Sequence, residues 1–203
     1  MDRADLPDTL VEEVVPLGHG PELVIARLRD PDALLVEESF DHPHLLPYWG
    51  ELWPSGIELA KRLAGRSLRG ARVVELGCGL GVASIAAARA GGRVLATDWS
   101  WSALQAVELN ARRNEVAVET LRVSWEEPDE LVARGPWDLV LVADVLYEAE
   151  KVPLLLDVLS RLDTEVWLAD PGRPPLARFL AAARERWHVE ESAPVYRLTL
   201  PGA

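Results

Sequence analysis

Val74-Glu75-Leu76-Gly77-Cys78-Gly79-Leu80-Gly81 is the stretch whose reading decides the fold. Arg72 to Leu76 reads as a short buried strand. Three alternating glycines follow as a turn, and Val82 to Ala90 reads as a small-residue helix closed by Gly91-Gly92. A strand, a glycine-rich turn and a helix in this order favour ligand binding at the carboxyl end of the strand, where backbone without Cβ can approach a ligand closely. A dinucleotide site would space its glycines Gly-x-Gly-x-x-Gly and seat a pyrophosphate on the helix N-terminus. Here the spacing is Gly-x-Gly-x-Gly, and Glu75, two residues before the first glycine, would repel a pyrophosphate. It suits a cofactor with a cationic amino-acid end. A tight turn that binds nothing is the alternative.

Outward from this stretch the pattern alternates. Strands are expected at Arg93 to Thr97, Val116 to Val123, Trp137 to Ala143 and Glu165 to Ala169. Helices are expected at Ser102 to Asn114, Glu150 to Leu162 and Pro175 to Trp187, and two closing strands at His188 to Glu191 and Val195 to Leu200. Such alternation predicts a parallel sheet covered by helices on both faces. Upstream, Ser55 is a candidate cap for a helix from Gly56 to Leu63. Leu10 to Val15 and Glu22 to Leu28, joined by a Pro- and Gly-rich link, read as a β-hairpin. The expected division is a hairpin and capping segment over residues 1–54 and a core over 55–203.

The composition bounds the function. The chain has 203 residues, 49% of them hydrophobic and 27% charged, which fits one folded domain. No run of about 18 apolar residues is present, and Met1 to Asp8 lacks the basic start of a signal peptide, so a cytoplasmic, non-membrane protein is expected. The single cysteine, Cys78, excludes an intrachain disulfide. A net charge of −12 argues against nucleic acid as partner and favours a cationic one. No spare apolar helix suggests an interface, so a monomer is expected. Only Lys61 and Lys151 among the 21 basic residues are lysines, and there are eight tryptophans.

Three further positions carry candidate chemistry. Asp98, about 20 residues after the glycines, stands where an acid binds ribose hydroxyls, although it could equally cap the next helix. Ser124-Trp125 follows the third core strand, where an indole could stack on adenine or simply pack. His42 and His44 lie near the expected entrance, but two histidines without a third ligand read as loop residues, and no metal site is expected. A P-loop, a serine nucleophile elbow and an Asn-Pro-Pro-Tyr tetrapeptide are all absent from the sequence.

Glu75-Leu-Gly-Cys-Gly-x-Gly81, Asp98, Ser124-Trp125 and Ala143-Asp144-x-x-Tyr147 resemble the class I S-adenosylmethionine-dependent methyltransferases. Trp53-Pro54-Ser55-Gly56 ahead of the core and Asp144-Val-Leu-Tyr147 after the fourth strand resemble the protein lysine methyltransferase branch. Pro47-Tyr-Trp49 and Asp170-Pro-Gly-Arg-Pro174 are similar to the electron transfer flavoprotein β-subunit lysine methyltransferases and their bacterial relatives. The resemblance covers about residues 45–175. It implies a Rossmann-like sheet of seven strands, mostly parallel with an antiparallel last strand, preceded by the hairpin. It implies that Trp53, Glu75, Gly77, Cys78, Gly79, Gly81, Asp98, Trp99, Ser124, Trp125 and Ala143 line S-adenosyl-L-methionine. Asp144 and Tyr147 would face the amine of a lysine-bearing protein, with the electron transfer flavoprotein β-subunit as a candidate partner. Trp49, Asp170 and Arg173 would touch that protein. A small-molecule N- or O-methyltransferase and a cofactor-binding module without catalysis are the alternatives.

Overall fold

The structure, a computed structural model, describes residues 10–30 and 48–202. His42, His44 and Pro47 lie outside the described residues, as does the acidic start of the chain. Strands β1 (Leu10–Val15) and β2 (Leu23–Leu28) form an antiparallel hairpin. A short 3-10 turn at Tyr48–Gly50 leads into helix α1 (Pro54–Ala64). The core then runs β3 (Arg72–Leu76), α2 (Val82–Arg89), β4 (Arg93–Asp98), α3 (Trp101–Arg113), β5 (Glu119–Arg122), α4 (Asp129–Ala133) and β6 (Leu139–Ala143). It closes with α5 (Lys151–Leu162), β7 (Glu165–Ala169), α6 (Pro174–Ala183), β8 (His188–Ser192) and β9 (Val195–Thr199).

Seven strands form one sheet in the order β5-β4-β3-β6-β7-β9-β8. Strands β3 to β7 are parallel, and β9 runs antiparallel to both β7 and β8. This is the expected Rossmann-like sheet with its hairpin extension. Winding reverses between β3 and β6, so the switch point falls where Gly77 and Ala143 leave the sheet.

Alternation along the central strands divides the core in two. Val74, Leu76, Val140 and Val142 face a cluster with Leu155 and Leu159 of α5 and Phe179 of α6. Val73, Leu139 and Leu141 face the other side, against Leu59 and Leu63 of α1 and Ile85 of α2. Val15, Leu23 and Ile25 of the hairpin join that second cluster. Both faces of β3 and β6 are therefore dry, which is why these strands read as continuous apolar runs.

Four local expectations change. Helix α1 starts two residues earlier than a serine cap would set it: Trp53 is the N-cap, Pro54 takes the first helical position, and the buried hydroxyl of Ser55 has no hydrogen-bond partner. The third core strand is four residues, Glu119–Arg122, because it pairs on one side only, with β4. Helix α6 stops at Ala183, and the chain turns through Arg184 before Trp187 re-enters the core. Helix α4, a single turn, falls within the acidic stretch after Trp125.

Candidate active site

The site grows from the turn after β3. Gly77 and Gly81 adopt left-handed φ values of 67° and 78°, a conformation open to glycine. A Cβ on Gly77 would stand 2.8 Å from Val145 Cγ1, and one on Gly81 would stand 2.8 Å from Val107 Cγ2. Gly77 thus presses on the segment leaving β6, and Gly81 presses on α3. Between them, Gly79 donates its backbone N–H to Asp98 Oδ2 at 3.1 Å. The backbone of Trp49 passes over Gly79, with its carbonyl oxygen 3.5 Å from where a Cβ would sit.

Asp98 ends β4 and is 7% exposed. Its Oδ1 accepts the backbone N–H of Ser100 at 2.9 Å. Burial pushes its carboxyl up to about 6 against these backbone hydrogen bonds, which oppose the shift. The helix-cap duty that rivalled ribose binding falls to Ser100, whose Oγ accepts the N–H of Ala103. Asp98 is left facing the cleft.

A cleft of about 1030 Å³ opens at the carboxyl ends of β3, β4, β5 and β6. Of the expected cofactor residues, Trp53, Gly77, Gly79, Asp98, Trp99, Ser124, Trp125 and Ala143 line it. Glu75, Cys78 and Gly81 do not. Glu75 is 2% exposed, and its Oε2 accepts both the N–H of Ser84, at 2.8 Å, and the Ser84 hydroxyl. Burial pushes this carboxyl up to about 7 against the Ser84 bonds. It stands behind the turn, tying β3 to α2, and is not among the residues that line the cleft. Cys78 packs with Ala96, Leu104 and Val107. Gly81 serves close packing of the turn on α3.

Asp144 lies beyond β6 with φ 59°, its N–H donating to the carbonyl of Ala169 at 3.0 Å. It lines the cleft, although it is only 7% exposed. Its Oδ1 accepts from Arg173 Nη1 at 2.7 Å, and its Oδ2 accepts the N–H of Gly56 at 3.2 Å, in the first turn of α1. Arg173 Nη1 also donates to Asp170 Oδ2 at 3.1 Å, and its guanidinium carbon lies 5.5 Å from the centre of the Trp53 ring. The expected grip of Asp170 on a protein partner is therefore corrected. That residue is 1% exposed, and its Oδ1 accepts the N–H groups of Gly172 and Arg173, so it builds the turn that aims Arg173.

The mouth is aromatic. Tyr48 meets Trp53 edge-on at 6.2 Å between centroids and Tyr147 at 5.4 Å, and the Trp53 indole donates to the Tyr48 carbonyl at 2.8 Å. Trp49 lines the same mouth, and Trp99 and Tyr147 are 40% and 46% exposed. Sequence reasoning missed Tyr48 and the charged rim, formed by Arg122, Glu126, Glu127, Asp129, Glu130, Glu148, Lys151 and Arg161. The run Glu126 to Glu130 beside Trp125 was the available signal. Ser124, which lines the cleft, donates its hydroxyl to Glu126, and Lys151 reaches the same carboxylate at 3.1 Å. The other four tryptophans stand apart. Trp137, Trp167 and Trp187 are buried, and Trp101 lies under the Arg122 guanidinium.

A seven-stranded sheet with a glycine turn, an acid at the end of the next strand and an acid after the fourth core strand defines the class I methyltransferase fold. The donor set fits S-adenosyl-L-methionine: two bare backbone positions, a carboxylate with spare lone pairs, and flanking indoles. The cleft stands at the upper end of the ~300–1,000 Å³ usual for ligand sites, with room for an acceptor side chain as well.

Residues 48–168 match the family described as Lysine methyltransferase, and the chain belongs to that family. It is 38% identical over 140 residues to the electron transfer flavoprotein beta subunit lysine methyltransferase of Xenopus laevis, covering 64% of this chain and 55% of that one. The human protein of the same name is 34% identical over 173 residues, covering 80% and 64%. Protein N-lysine methyltransferase METTL21A of Danio rerio is 38% identical over 151 residues, covering 69% of each chain. The chain thus spans little more than half the length of the frog relative. These relatives are vertebrate, and the expected bacterial affiliation finds no support among them. In fold, the chain resembles the T. thermophilus 16S rRNA N2 G1207 methyltransferase solved with AdoMet and guanosine, at TM-score 0.67 and 16% identity over 97% of this chain and 52% of that one. No helix among the described residues is long and apolar enough to cross a membrane.

Proposed function

We propose that this chain methylates the side-chain amine of a lysine in a protein, with S-adenosyl-L-methionine as donor. The observation that carries the reading is the placement of Asp144, an acid at the floor of an aromatic mouth, on the cleft shared with Gly77, Gly79 and Asp98. The sulfonium supplies an electrophilic methyl group, so the protein's task is to orient a nucleophile and let it lose a proton.

Trp53, Tyr48 and Tyr147 give the alkyl stem of a lysine apolar walls and shed water around the amine. That desolvation lowers the amine from its reference pKa of about 10.4. Asp144 accepts a hydrogen bond from the amine and aims its lone pair. Arg173 and Gly56 hold the carboxylate in place through one hydrogen bond on each oxygen. The proton leaves to water through the open mouth, where Tyr147 is half exposed.

The acidic rim favours a cationic protein surface over a nucleic acid. The electron transfer flavoprotein β-subunit named by the relatives is the first candidate acceptor. A monomer in the cytoplasm is the proposed working form, in keeping with a free, buried thiol at Cys78.

The test is transfer of labelled methyl groups from S-adenosyl-L-methionine to a lysate, resolved by gel and digested to amino acids. A labelled band yielding methyl-lysine is expected. Label confined to small molecules would replace the reading with a small-molecule methyltransferase. Cofactor binding without any transfer would make the chain a binding module.

A further inference from the structure

The carboxylate of Asp144 belongs to a charge cluster with a specific imbalance. Arg173 Nη1 reaches both Asp144 Oδ1, at 2.7 Å, and Asp170 Oδ2, at 3.1 Å. Asp144 and Asp170 are 7% and 1% exposed, and the side chain of Arg173 is 20% exposed against Trp53. Two buried carboxylates therefore share one guanidinium, and the cluster keeps one uncompensated negative charge. That charge borders the cleft only through Asp144. A carboxylate offers about four lone-pair sites, and Arg173 and Gly56 use two of those on Asp144, so acceptors remain for an amine.

The other cations of the cleft are engaged elsewhere: Lys151 pairs with Glu126, Arg161 pairs with Asp129, and Arg122 donates to the carbonyl of Trp99. Tyr147 and Glu148 follow Asp144 on the same segment, Tyr48 lies across the mouth, and Asp98 stands across the glycine turn. On β9, Tyr196 feels the charge of Asp170. Desolvation raises both Tyr147 and Tyr196, so these phenols stay neutral, while Asp98 and Glu148 add only negative charge. Arg173 is the cation that both buried carboxylates share.

We propose that Arg173 is a positioning residue that cancels one of two buried negative charges, so that the site attracts a lysine ammonium without locking it in its protonated form. This rests on the protein-lysine reading above. The one net charge of this cluster draws the ammonium in, in addition to the attraction of Asp98 and Glu148. A second would hold its proton, because each unpaired carboxylate nearby raises an amine pKa by about one unit or more. The guanidinium also fixes the carboxylate plane, since its fork meets two acids whose own positions are set by backbone N–H groups.

The experiment follows kcat against pH, with the labelled protein purified from the lysate as acceptor. The rising limb reports loss of the ammonium proton in the bound complex. Arg173→Gln leaves two charges and is expected to move that limb up by about one pH unit, with KM lowered. Asp170→Asn leaves none and is expected to move it down, with KM raised. Arg173→Lys keeps the charge and is expected to keep the limb. A purely structural role would lower kcat at every pH and leave the limb in place. An unmoved limb, or both variants shifting the same way, overturns the proposal. Should Arg173→Gln fail to fold, Asp170→Asn decides alone.

Calorimetry with n-butylamine, a mimic of the lysine side chain, gives a readout without turnover. Arg173→Gln should bind it about tenfold more tightly than wild type, and Asp170→Asn should bind it more weakly. If no lysate protein is labelled, the lysine reading fails, while the butylamine series still judges the charge balance. Equal affinities or the reverse order reject it.

Discussion

Asn110 holds the backbone of Ala26 as a neighbouring strand would: its Oδ1 accepts the Ala26 N–H at 2.7 Å, and its Nδ2 donates to the Ala26 carbonyl at 3.1 Å. Nδ2 also donates to the carbonyl of Leu80, in the glycine turn, at 3.1 Å. One turn later, Asn114 repeats the device on Val24. The free edge of β2 is thereby satisfied by a helix, which docks the hairpin and removes an open strand edge. Asn110 is fully buried, and it joins the hairpin directly to the glycine turn.

Asn110→Ala would leave two buried carbonyls and one N–H without partners. Each such group costs about 1–3 kcal/mol, with partial relief from water, so a loss of about 2–4 kcal/mol is expected. Denaturant melting measures it, and hydrogen exchange at Ala26 should accelerate. A loss under about 0.5 kcal/mol would reject the docking role.

Asp98→Ala should weaken S-adenosyl-L-methionine binding by about 10- to 100-fold, the scale of hydrogen bonds to a charged acceptor. Thermal stability without cofactor should fall by about 1–3 kcal/mol, because the N–H groups of Gly79 and Ser100 lose their acceptor while the burial cost of a carboxyl raised to about 6 is relieved. Calorimetry separates the two effects. Wild-type affinity would remove Asp98 from the ribose site.

Gly77→Ala meets two obstacles, a φ of 67° and a Cβ 2.8 Å from Val145. The expected cost is about 1–3 kcal/mol, with cofactor affinity falling as the turn shifts against Val145. Gly56→Ala is the control for stability: its Cβ would meet nothing within 4 Å, and helix propensity favours alanine by up to about 1 kcal/mol. A Gly77→Ala protein as stable as wild type would contradict the close packing of the turn.

Glu75 gives a pH dependence with a defined sign. Its folded carboxyl is raised from 4.5 to about 7, so the folded chain holds a proton that the unfolded chain releases. Its contribution to stability is complete below about pH 4.3 and is lost as pH rises through 7, on the order of 3 kcal/mol in all. Glu75→Gln keeps an acceptor for Ser84 and should flatten the fall in melting temperature between pH 5 and 8. Parallel melting curves for the two proteins across that range would sink the assignment.

Asp144→Ala should reduce methyl transfer at least 100-fold while leaving cofactor affinity within a few-fold. In the proposed reading the acid faces the acceptor, whereas the cofactor rests on the turn formed by Gly77 and Gly79 and on Asp98. Turnover and calorimetry on the same preparation check it. Unchanged turnover would end the orienting role.

The alternation of short apolar strands and helices was sufficient for the sheet, because β3 and β6 are buried on both faces and burial on that scale leaves a composition signature in the chain itself. The glycine turn was legible for a related reason: backbone conformations that disfavour other residues demand glycine at fixed spacing. What the chain did not disclose is which side chains share a charge. Asp170 lies only a strand and a turn from its apparent role at a protein surface, yet the tertiary fold buries it and spends Arg173 on Asp144, 29 residues away in sequence. Glu75 likewise stands two residues from the ligand loop but, by the alternation of strand side chains, points behind it at Ser84. Periodicity and local turn chemistry are written along the chain, whereas ion pairing depends on distances through space, and only the folded sheet sets those.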